Sequence, residues 1–210
     1  MSHSLRPLEP HLTLHVTAHA TGRRLCFPDD GARVMFKCHL LKLSRSLPVE
    51  IHAFALMDNH VHLLLTARKH GATAELMRSA LAVHAVAMNR LGGHPGQLWR
   101  DRHHTVVVDS VSHALHACLY IDANPWRARL VEHPMESDWT SYRELAAGMD
   151  AAFLTPHPVL LDLGQGDDWR LRYQEIMDEY LRRGARVCCP GRRISQTDPL
   201  AGLRLASWRE

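Results

Sequence analysis

The chain has 210 residues, of which 46% are apolar and 22% charged, and its formal net charge is +3. This composition fits one ordinary domain with an appendage, or two small domains, and it excludes a histone-like polycation. The 22 Arg against three Lys suit bidentate contacts to phosphate, although GC-rich coding produces the same bias. The five Cys form no C-x-x-C pair, and no apolar run approaches the ~18 residues of a membrane span. We therefore expect a cytoplasmic protein without a disulfide framework, a Cys-type zinc site or a membrane segment.

Residues 11–19 alternate with period two and predict a first strand. The pattern turns four apolar side chains toward the core, namely Leu12, Leu14, Val16 and Ala18. The opposite face receives three histidines, His11, His15 and His19. We expect these histidines to form a solvated or DNA-facing surface rather than a second metal site.

The remaining elements follow in the order helix, strand, strand, helix, strand and further helices. Strands are predicted at 49–56, 60–66 and 105–108. Long helices are predicted from Asp29 or Asp30 to 46, at 73–91 and from Asp109 or Ser110 to 123, with shorter ones at 126–131, from 139 to about 148 and at 169–180. Asn124-Pro125 should end the third long helix, because proline disfavours helical geometry in the preceding residue. This order is the ferredoxin-like split βαβ arrangement, an α+β fold with an antiparallel sheet covered by helices.

The sequence contains one His-x-His, at His60 and His62, on the third predicted strand. Alternation places the two imidazoles on one face and Val61, Leu63 and Leu65 on the other, buried face. A rigid pair of imidazoles suits a metal ion. With 17 His in the chain, however, roughly one such tripeptide is expected by chance, so the motif needs partners elsewhere.

Three ordered motifs supply those partners, and together they resemble the single-tyrosine HUH transposases, with the REP-associated tyrosine transposases as the most similar branch. The motifs are Asp58-Asn59-His60-Val61-His62, Tyr120-Ile121-Asp122-Ala123-Asn124-Pro125-Trp126-Arg127-Ala128 and Trp139-Thr140-Ser141-Tyr142. The resemblance covers residues 11–145. It implies a strand carrying the histidine pair, a later tyrosine helix and single-stranded DNA as the substrate.

The resemblance also implies roles for individual residues. Tyr120 matches the nucleophile, which attacks a backbone phosphate and forms a 5′-phosphotyrosine with release of a 3′-OH. His60 and His62 match metal ligands, and Asn124 matches the third ligand. Tyr120 and Asn124 are four residues apart, so they share one face of a helix. The alternative for Tyr120 is a buried helix tyrosine with its hydroxyl at the rim.

The implied cofactor is a divalent ion, Mg²⁺ or Mn²⁺. Two imidazoles alone would favour Zn²⁺ or later transition metals, whereas the Asn124 oxygen and phosphate oxygens favour the harder ions. A nearby cation would also favour the phenolate of Tyr120, since a free phenol has a pKa near ~10. Covalent catalysis would then store the bond energy for rejoining.

Several further residues are candidates for contacting DNA. Arg100, Arg102 and Arg127 could bind phosphates, and Arg23 and Arg24 could meet a DNA hairpin in the loop after the first strand. Trp99 could stack on an unpaired base. Core packing is the alternative for Trp99 and Trp139, and we favour it more for Trp139. The expected partner is a single-stranded hairpin, REP-like or at the end of a mobile element, bound by a monomer or homodimer associated with the nucleoid.

The chain departs from the family pattern in two regions. The family often has Gly where this chain has Arg129, and an aromatic-basic pair where it has His103-His104. We predict a nuclease domain at 1–148 and, at 149–210, a helical extension followed by a disordered basic tail, since residues 181–210 contain seven Arg and two acids without an apolar period. The alternatives to an active transposase are a catalytically silent DNA-binding regulator that keeps the fold and a degenerate relic.

Overall fold

The structure, a computed structural model, describes residues 10–22, 24–92, 96–149 and 153–184. Four strands form one antiparallel sheet in the order β2-β3-β1-β4. The strands are β1 (Thr13–His19), β2 (Val49–Met57), β3 (His60–Ala67) and β4 (His104–Val108). This order, with β3 lying between β1 and β2, confirms the predicted ferredoxin-like arrangement.

The helices are α1 (Asp30–Ser46), α2 (Ala72–Gly92), α3 (Val111–Asp122), α4 (Asn124–Arg127), α5 (Tyr142–Ala146), α6 (Pro158–Leu161) and α7 (Asp168–Arg182). Two of the predicted N-caps are confirmed, because the Asp29 carboxylate accepts from the Ala32 amide and the Ser110 hydroxyl accepts from the His113 amide. Among the described residues, no helix combines the length and apolarity needed to cross a bilayer.

Helices α1 and α2 cover one face of the sheet and bury the apolar side chains that alternation predicted. Leu14, Val16, Val61, Leu63 and Leu65 are all at most 2% exposed there. Helical spacing also predicts Val34 of α1 and Val83 of α2 on the buried faces of their helices, and this prediction was wrong, because both are about half exposed. The buried residues of α1 are instead Ala32, Phe36, Leu40 and Leu43, and those of α2 are Ala72, Thr73, Leu76, Met77, Ala80, Leu81, His84 and Met88.

Helix α3 covers the opposite face of the sheet and forms a second core with the C-terminal helices. Every residue of α3 from Ala114 to Asp122 is buried. Trp169, Tyr173 and Ile176 of α7 pack into the same cluster. The segment predicted as an extension thus contributes directly to the core beneath α3. The disordered tail was predicted to begin at Leu181, which was wrong for Leu181 and Arg182, because both belong to α7. Residues 185–210 lie outside the described part of the chain.

The Asn-Pro pair separates α3 from α4 slightly earlier than predicted. Helix α3 ends at Asp122, and Asn124 begins α4 instead of Trp126. Pro125 sits in the first turn of α4, where its missing N–H breaks no helical hydrogen bond. The chain then leaves α4 through Arg129 at φ 60°, in the left-handed region that favours glycine. This conformation is compatible with the glycine that the family resemblance implies at this position.

Candidate active site

Four imidazoles lie on the α3 face of the sheet, and we call them the histidine row: His15 and His19 of β1, and His60 and His62 of β3. The register of β1 and β3 sets His19 opposite His60 and Thr17 opposite His62. Every second residue of each strand points to the same side, so all four imidazoles lie on one face of the sheet. Ring centroids are 5.0 Å apart for His19 and His60, 4.9 Å for His60 and His62, and 5.1 Å for His15 and His62. The row therefore runs continuously across two paired strands.

The prediction that His15 lies on a solvated surface was wrong. His15 is 1% exposed, while His19, farther along the same face, is exposed. The alternation in β1 correctly placed both on the non-core face, but only the tertiary structure shows that α3 covers this end of it. His15 is thus a residue of the site that sequence reasoning did not assign.

Tyr120 lies beside the histidine row because α3 crosses the sheet there. Its ring centroid is 5.6 Å from that of His62 and 6.0 Å from that of His15. The plane of the Tyr120 ring makes angles of 83° and 66°, respectively, with the planes of these two imidazoles. The side chain is 5% exposed. The structure therefore brings together the predicted nucleophile and a predicted metal ligand that are 58 residues apart in sequence.

Asn124 follows Tyr120 by one helical turn, as the spacing predicted, although the two residues belong to consecutive helices. Its side-chain Nδ2 donates to the Tyr120 carbonyl at 2.9 Å. Because the two polar atoms of an amide diverge, this hydrogen bond directs the Asn124 Oδ1 away from the end of α3. The side chain is 7% exposed and is held by the backbone of the tyrosine helix itself.

The imidazoles near Tyr120 are neutral at pH 7. Burial, followed by the neighbouring His19, lowers the pKa of His60 to about 4. Burial and the adjacent His15 and His60 hold the pKa of His62 well below its ordinary value. A neutral imidazole is the form that binds metals. Since His60 Nδ1 lies 2.6 Å from the Asn59 Oδ1, which can only accept, the His60 proton sits on Nδ1 and Nε2 carries the lone pair.

The donor set fits a divalent ion only if the amide takes part. Among the described residues, no cluster of three or more His, Cys, Asp and Glu side chains is arranged to hold a metal. Two neutral imidazoles and an amide oxygen are nevertheless donors of a kind that suits such an ion, to which phosphate and water oxygens could be added.

Arg127 brings a positive charge to Tyr120. Its guanidinium carbon lies 4.9 Å from the centroid of the Tyr120 ring, in cation–π contact. The side chain is half-buried at the end of α4. This predicted DNA-contacting residue is therefore located next to the candidate nucleophile.

The other predicted arginines occupy different environments. Arg100 and Arg102 are exposed, and the Arg100 amide donates to the His19 carbonyl at 2.8 Å, which places this segment beside the histidine row. Arg24 instead donates to the Gln97 carbonyl and to Asn89 Oδ1 at 2.9 Å, so it anchors the loop before β4. Arg23 lies outside the described residues.

Trp99 packs in the α1–α2 core, and its ring is not presented to solvent. It is 6% exposed, and its indole N–H donates to the Leu81 carbonyl at 2.9 Å. Phe27 and His84 flank the ring. Trp99 therefore packs in the core, which was the alternative to stacking on a base.

Trp139, for which we favoured core packing, is only partly buried and lies under the Arg33 guanidinium.

Comparisons with known proteins identify the family of the chain and a solved structure of similar fold. The model of the family described as "Transposase IS200 like" matches residues 9–124, which include the histidine row, Tyr120 and Asn124. A solved structure described as a REP-associated tyrosine transposase bound to a REP hairpin superimposes with a TM-score of 0.55 at 18% identity, covering 75% of this chain and 93% of that one. No curated protein matches the sequence.

Proposed function

The chain belongs to the IS200-like transposase family, and we propose that it cuts and rejoins single-stranded DNA through a covalent link to Tyr120. The observation that carries the proposal is the contact of Tyr120 with His62 at 5.6 Å between ring centroids, in a cluster of neutral imidazoles. A purely structural tyrosine would not need metal-binding side chains around it. We further propose that the chain belongs to the REP-associated branch.

In the proposed reaction the Tyr120 oxygen attacks the phosphorus of a backbone phosphate. Tyr120 loses its phenol proton to solvent, and its oxygen forms the bond to phosphorus while the P–O3′ bond breaks. The phosphate stays on the tyrosine as a 5′-phosphotyrosine, and the departing 3′ oxygen takes a proton from solvent to become a 3′-OH. Arg127 stabilises the negative charge on the attacking phenolate and on the phosphate. Rejoining is the same step in reverse, with a 3′-OH as the nucleophile.

His60, His62 and Asn124 are the residues that would hold the divalent ion, which we propose to be Mg²⁺ or Mn²⁺. When bound, such an ion polarises the scissile phosphate and stabilises the charge that develops on it. The amide hydrogen bond from Asn124 to the Tyr120 carbonyl couples the third ligand to the tyrosine helix. Displacement of Asn124 should therefore also disturb the position of the nucleophile.

We propose a folded single-stranded hairpin as the substrate, acted on in the cytoplasm at the nucleoid. The structurally similar transposase is described as bound to a REP hairpin. In this chain Arg100 and Arg102 are exposed, and the Arg100 amide donates to the carbonyl of His19 in the histidine row, so both arginines could contact hairpin phosphates. Arg23 and Arg24 remain proposed contacts, although the hydrogen bonds of Arg24 favour an indirect role in holding the adjacent loop.

The decisive experiment is incubation of the protein with single-stranded hairpin DNA and Mn²⁺, followed by denaturing electrophoresis to detect a covalent adduct. Tyr120→Phe removes the hydroxyl but keeps the ring, so it should abolish the adduct and spare hairpin binding. Tyr142→Phe is the matched control, because Tyr142 is fully buried and its hydroxyl has no partner among the described residues. An unchanged adduct yield in Tyr120→Phe would refute the assignment.

Metal removal tests the second part of the proposal. EDTA, His60→Ala and His62→Ala should each abolish nicking, with restoration by added Mn²⁺ only in the wild type. Nicking that persists in EDTA would refute the metal mechanism. Hairpin binding by the wild type without any adduct would instead support the catalytically silent regulator.

A further inference from the structure

We propose that His15 is a positioning residue that accepts the Nδ1 proton of His62 and so leaves the Nε2 lone pair of His62 available as a ligand. This inference rests on the proposed function, since it assigns a purpose to a contact beside the proposed metal ligands. His15 lies outside the three motifs that carry the family resemblance.

The contact is short, direct and buried. His15 Nε2 lies 2.9 Å from His62 Nδ1, and the two rings are stacked with 28° between their planes. The side chains are 1% and 5% exposed, respectively. Two ring nitrogens at this distance share a single proton, so one ring donates and the other accepts.

The direction of this hydrogen bond decides whether His62 can bind an ion through Nε2. If His62 donates from Nδ1, its Nε2 carries a lone pair. If His15 donates, the proton of His62 sits on Nε2 and blocks that nitrogen. The contact thus selects one of two tautomers of a residue in the site.

The tautomer of His60 indicates which direction of the His15–His62 hydrogen bond suits a shared metal ion. Its Nδ1 must donate to the Asn59 oxygen at 2.6 Å, so its Nε2 is free. His15 does for His62 what Asn59 does for His60, since each contacts Nδ1 of its imidazole. Only an accepting His15 gives both side chains of the His-x-His pair a free Nε2, which two ligands of one ion need.

The energetic cost of His15 supports a role beyond packing. A His15 that accepts at Nε2 carries its own proton on Nδ1, and this buried N–H has no hydrogen-bond partner among the described residues. An unpaired buried polar atom destabilises a fold, and an aliphatic side chain such as that of the adjacent Leu14 or Val16 would avoid this penalty. The contact with His62 is the interaction that an aliphatic residue at this position could not make.

The test uses the full-length protein without metal, at one fixed pH, with ¹⁵N-labelled histidine. Long-range ¹H–¹⁵N spectra distinguish the two imidazole tautomers, and the His62 signals are assigned by their loss in His62→Ala. The wild type should show His62 protonated on Nδ1. His15→Leu should convert His62 into a mixture of tautomers, whereas His15→Gln, whose amide oxygen can occupy the place of Nε2, should restore the wild-type pattern.

The second readout is the affinity for Mn²⁺ alone, measured by calorimetry. His15→Leu should weaken binding ~10–100-fold, the usual effect of losing a group that orients a ligand. His15→Gln should recover most of it. His84→Leu is the control, because His84 is buried in the α1–α2 core on the other face of the sheet, where its Nε2 donates to the Cys26 carbonyl. This variant should leave the Mn²⁺ affinity unchanged.

Two outcomes would overturn the inference: a wild-type His62 protonated on Nε2, or a Mn²⁺ affinity and tautomer in His15→Leu equal to those of the wild type. The tautomer does not depend on nuclease activity. Absence of a DNA adduct with the expected spectra would therefore refute the proposed reaction while leaving the role of His15 intact.

Discussion

Asp122 provides the sharpest test of the second core, because it is a fully buried carboxyl at the end of the tyrosine helix. It accepts hydrogen bonds from the hydroxyl of Ser141 and, at 2.8 Å, from that of Tyr173. Burial raises its pKa from 3.8 to about 7, against the opposing effect of the two hydroxyl donors. We predict that Asp122→Asn removes a pH-dependent part of the free energy of unfolding.

The magnitude follows from the two pKa values. Because the folded-state pKa lies above the unfolded-state one, the stabilising contribution is complete below about pH 3.8 and is lost as the pH rises through about 7. The difference between 3.8 and about 7 corresponds to ~4 kcal/mol, since one pKa unit is ~1.4 kcal/mol. Asparagine cannot ionise and can still bond both hydroxyls, so the variant should gain up to ~4 kcal/mol on the wild type across this interval.

The assay is urea denaturation of both proteins at several pH values from 4.5 to 8, followed by tryptophan fluorescence. Taking the difference between the two proteins cancels the histidines, which titrate in both. The free energy of unfolding of Asp122→Asn minus that of the wild type should rise with pH and reach a plateau above about pH 7. Asp162→Asn, at an exposed position on the surface, should give a flat difference. A flat difference for Asp122→Asn would refute the reasoning.

Three further predictions concern other parts of the chain. Trp99→Ala should lower the free energy of unfolding by ~3–5 kcal/mol, as large-to-small changes in a core do, and leave the affinity of the folded protein for single-stranded DNA unchanged. A loss of DNA affinity at an unchanged Tm would show instead that Trp99 stacks on a base. A chain that ends after Gly184 lacks five Arg and should keep the Tm of the full chain. In filter binding it should bind hairpin and unrelated strands more weakly to the same degree and with a smaller salt dependence, and a loss confined to the hairpin would contradict this. Asn124→Ala should weaken Mn²⁺ affinity in calorimetry more than it lowers Tm, and equal metal affinity would exclude Asn124 as a ligand.

The sequence allowed the sheet and much of the candidate site to be predicted, because those features depend on local periodicity. Strict alternation in β3 placed His60 and His62 on one face, and the residues capping α1 and α3 marked where these helices begin. The spacing of Tyr120 and Asn124 correctly predicted that they lie one helical turn apart. The roles of these residues in catalysis and metal binding remain predictions.

Features that depend on long-range packing were missed. Burial of His15 requires α3, which begins 96 residues later in sequence. Trp99 is buried because the segment before β4 folds back on the end of β1, through hydrogen bonds between the Thr21 amide and the Leu98 carbonyl and between the Arg100 amide and the His19 carbonyl. Neither hydrogen bond has a local sequence signal. From the sequence, Trp99 was therefore expected in an exposed loop, where it could stack on an unpaired base.

The packing of α3 has a consequence for stoichiometry. Tyr120 of α3 meets His62 of β3 within one chain, and α3 packs in one apolar cluster with α6 and α7 of that same chain. Exchange of the tyrosine helix between two copies would have to pull apart the cluster that includes Trp169 and Tyr173. We therefore predict that a single molecule supplies every side chain of the proposed centre. The initial rate of adduct formation with excess DNA should then increase linearly with protein concentration, whereas a quadratic dependence would indicate a site assembled from two copies.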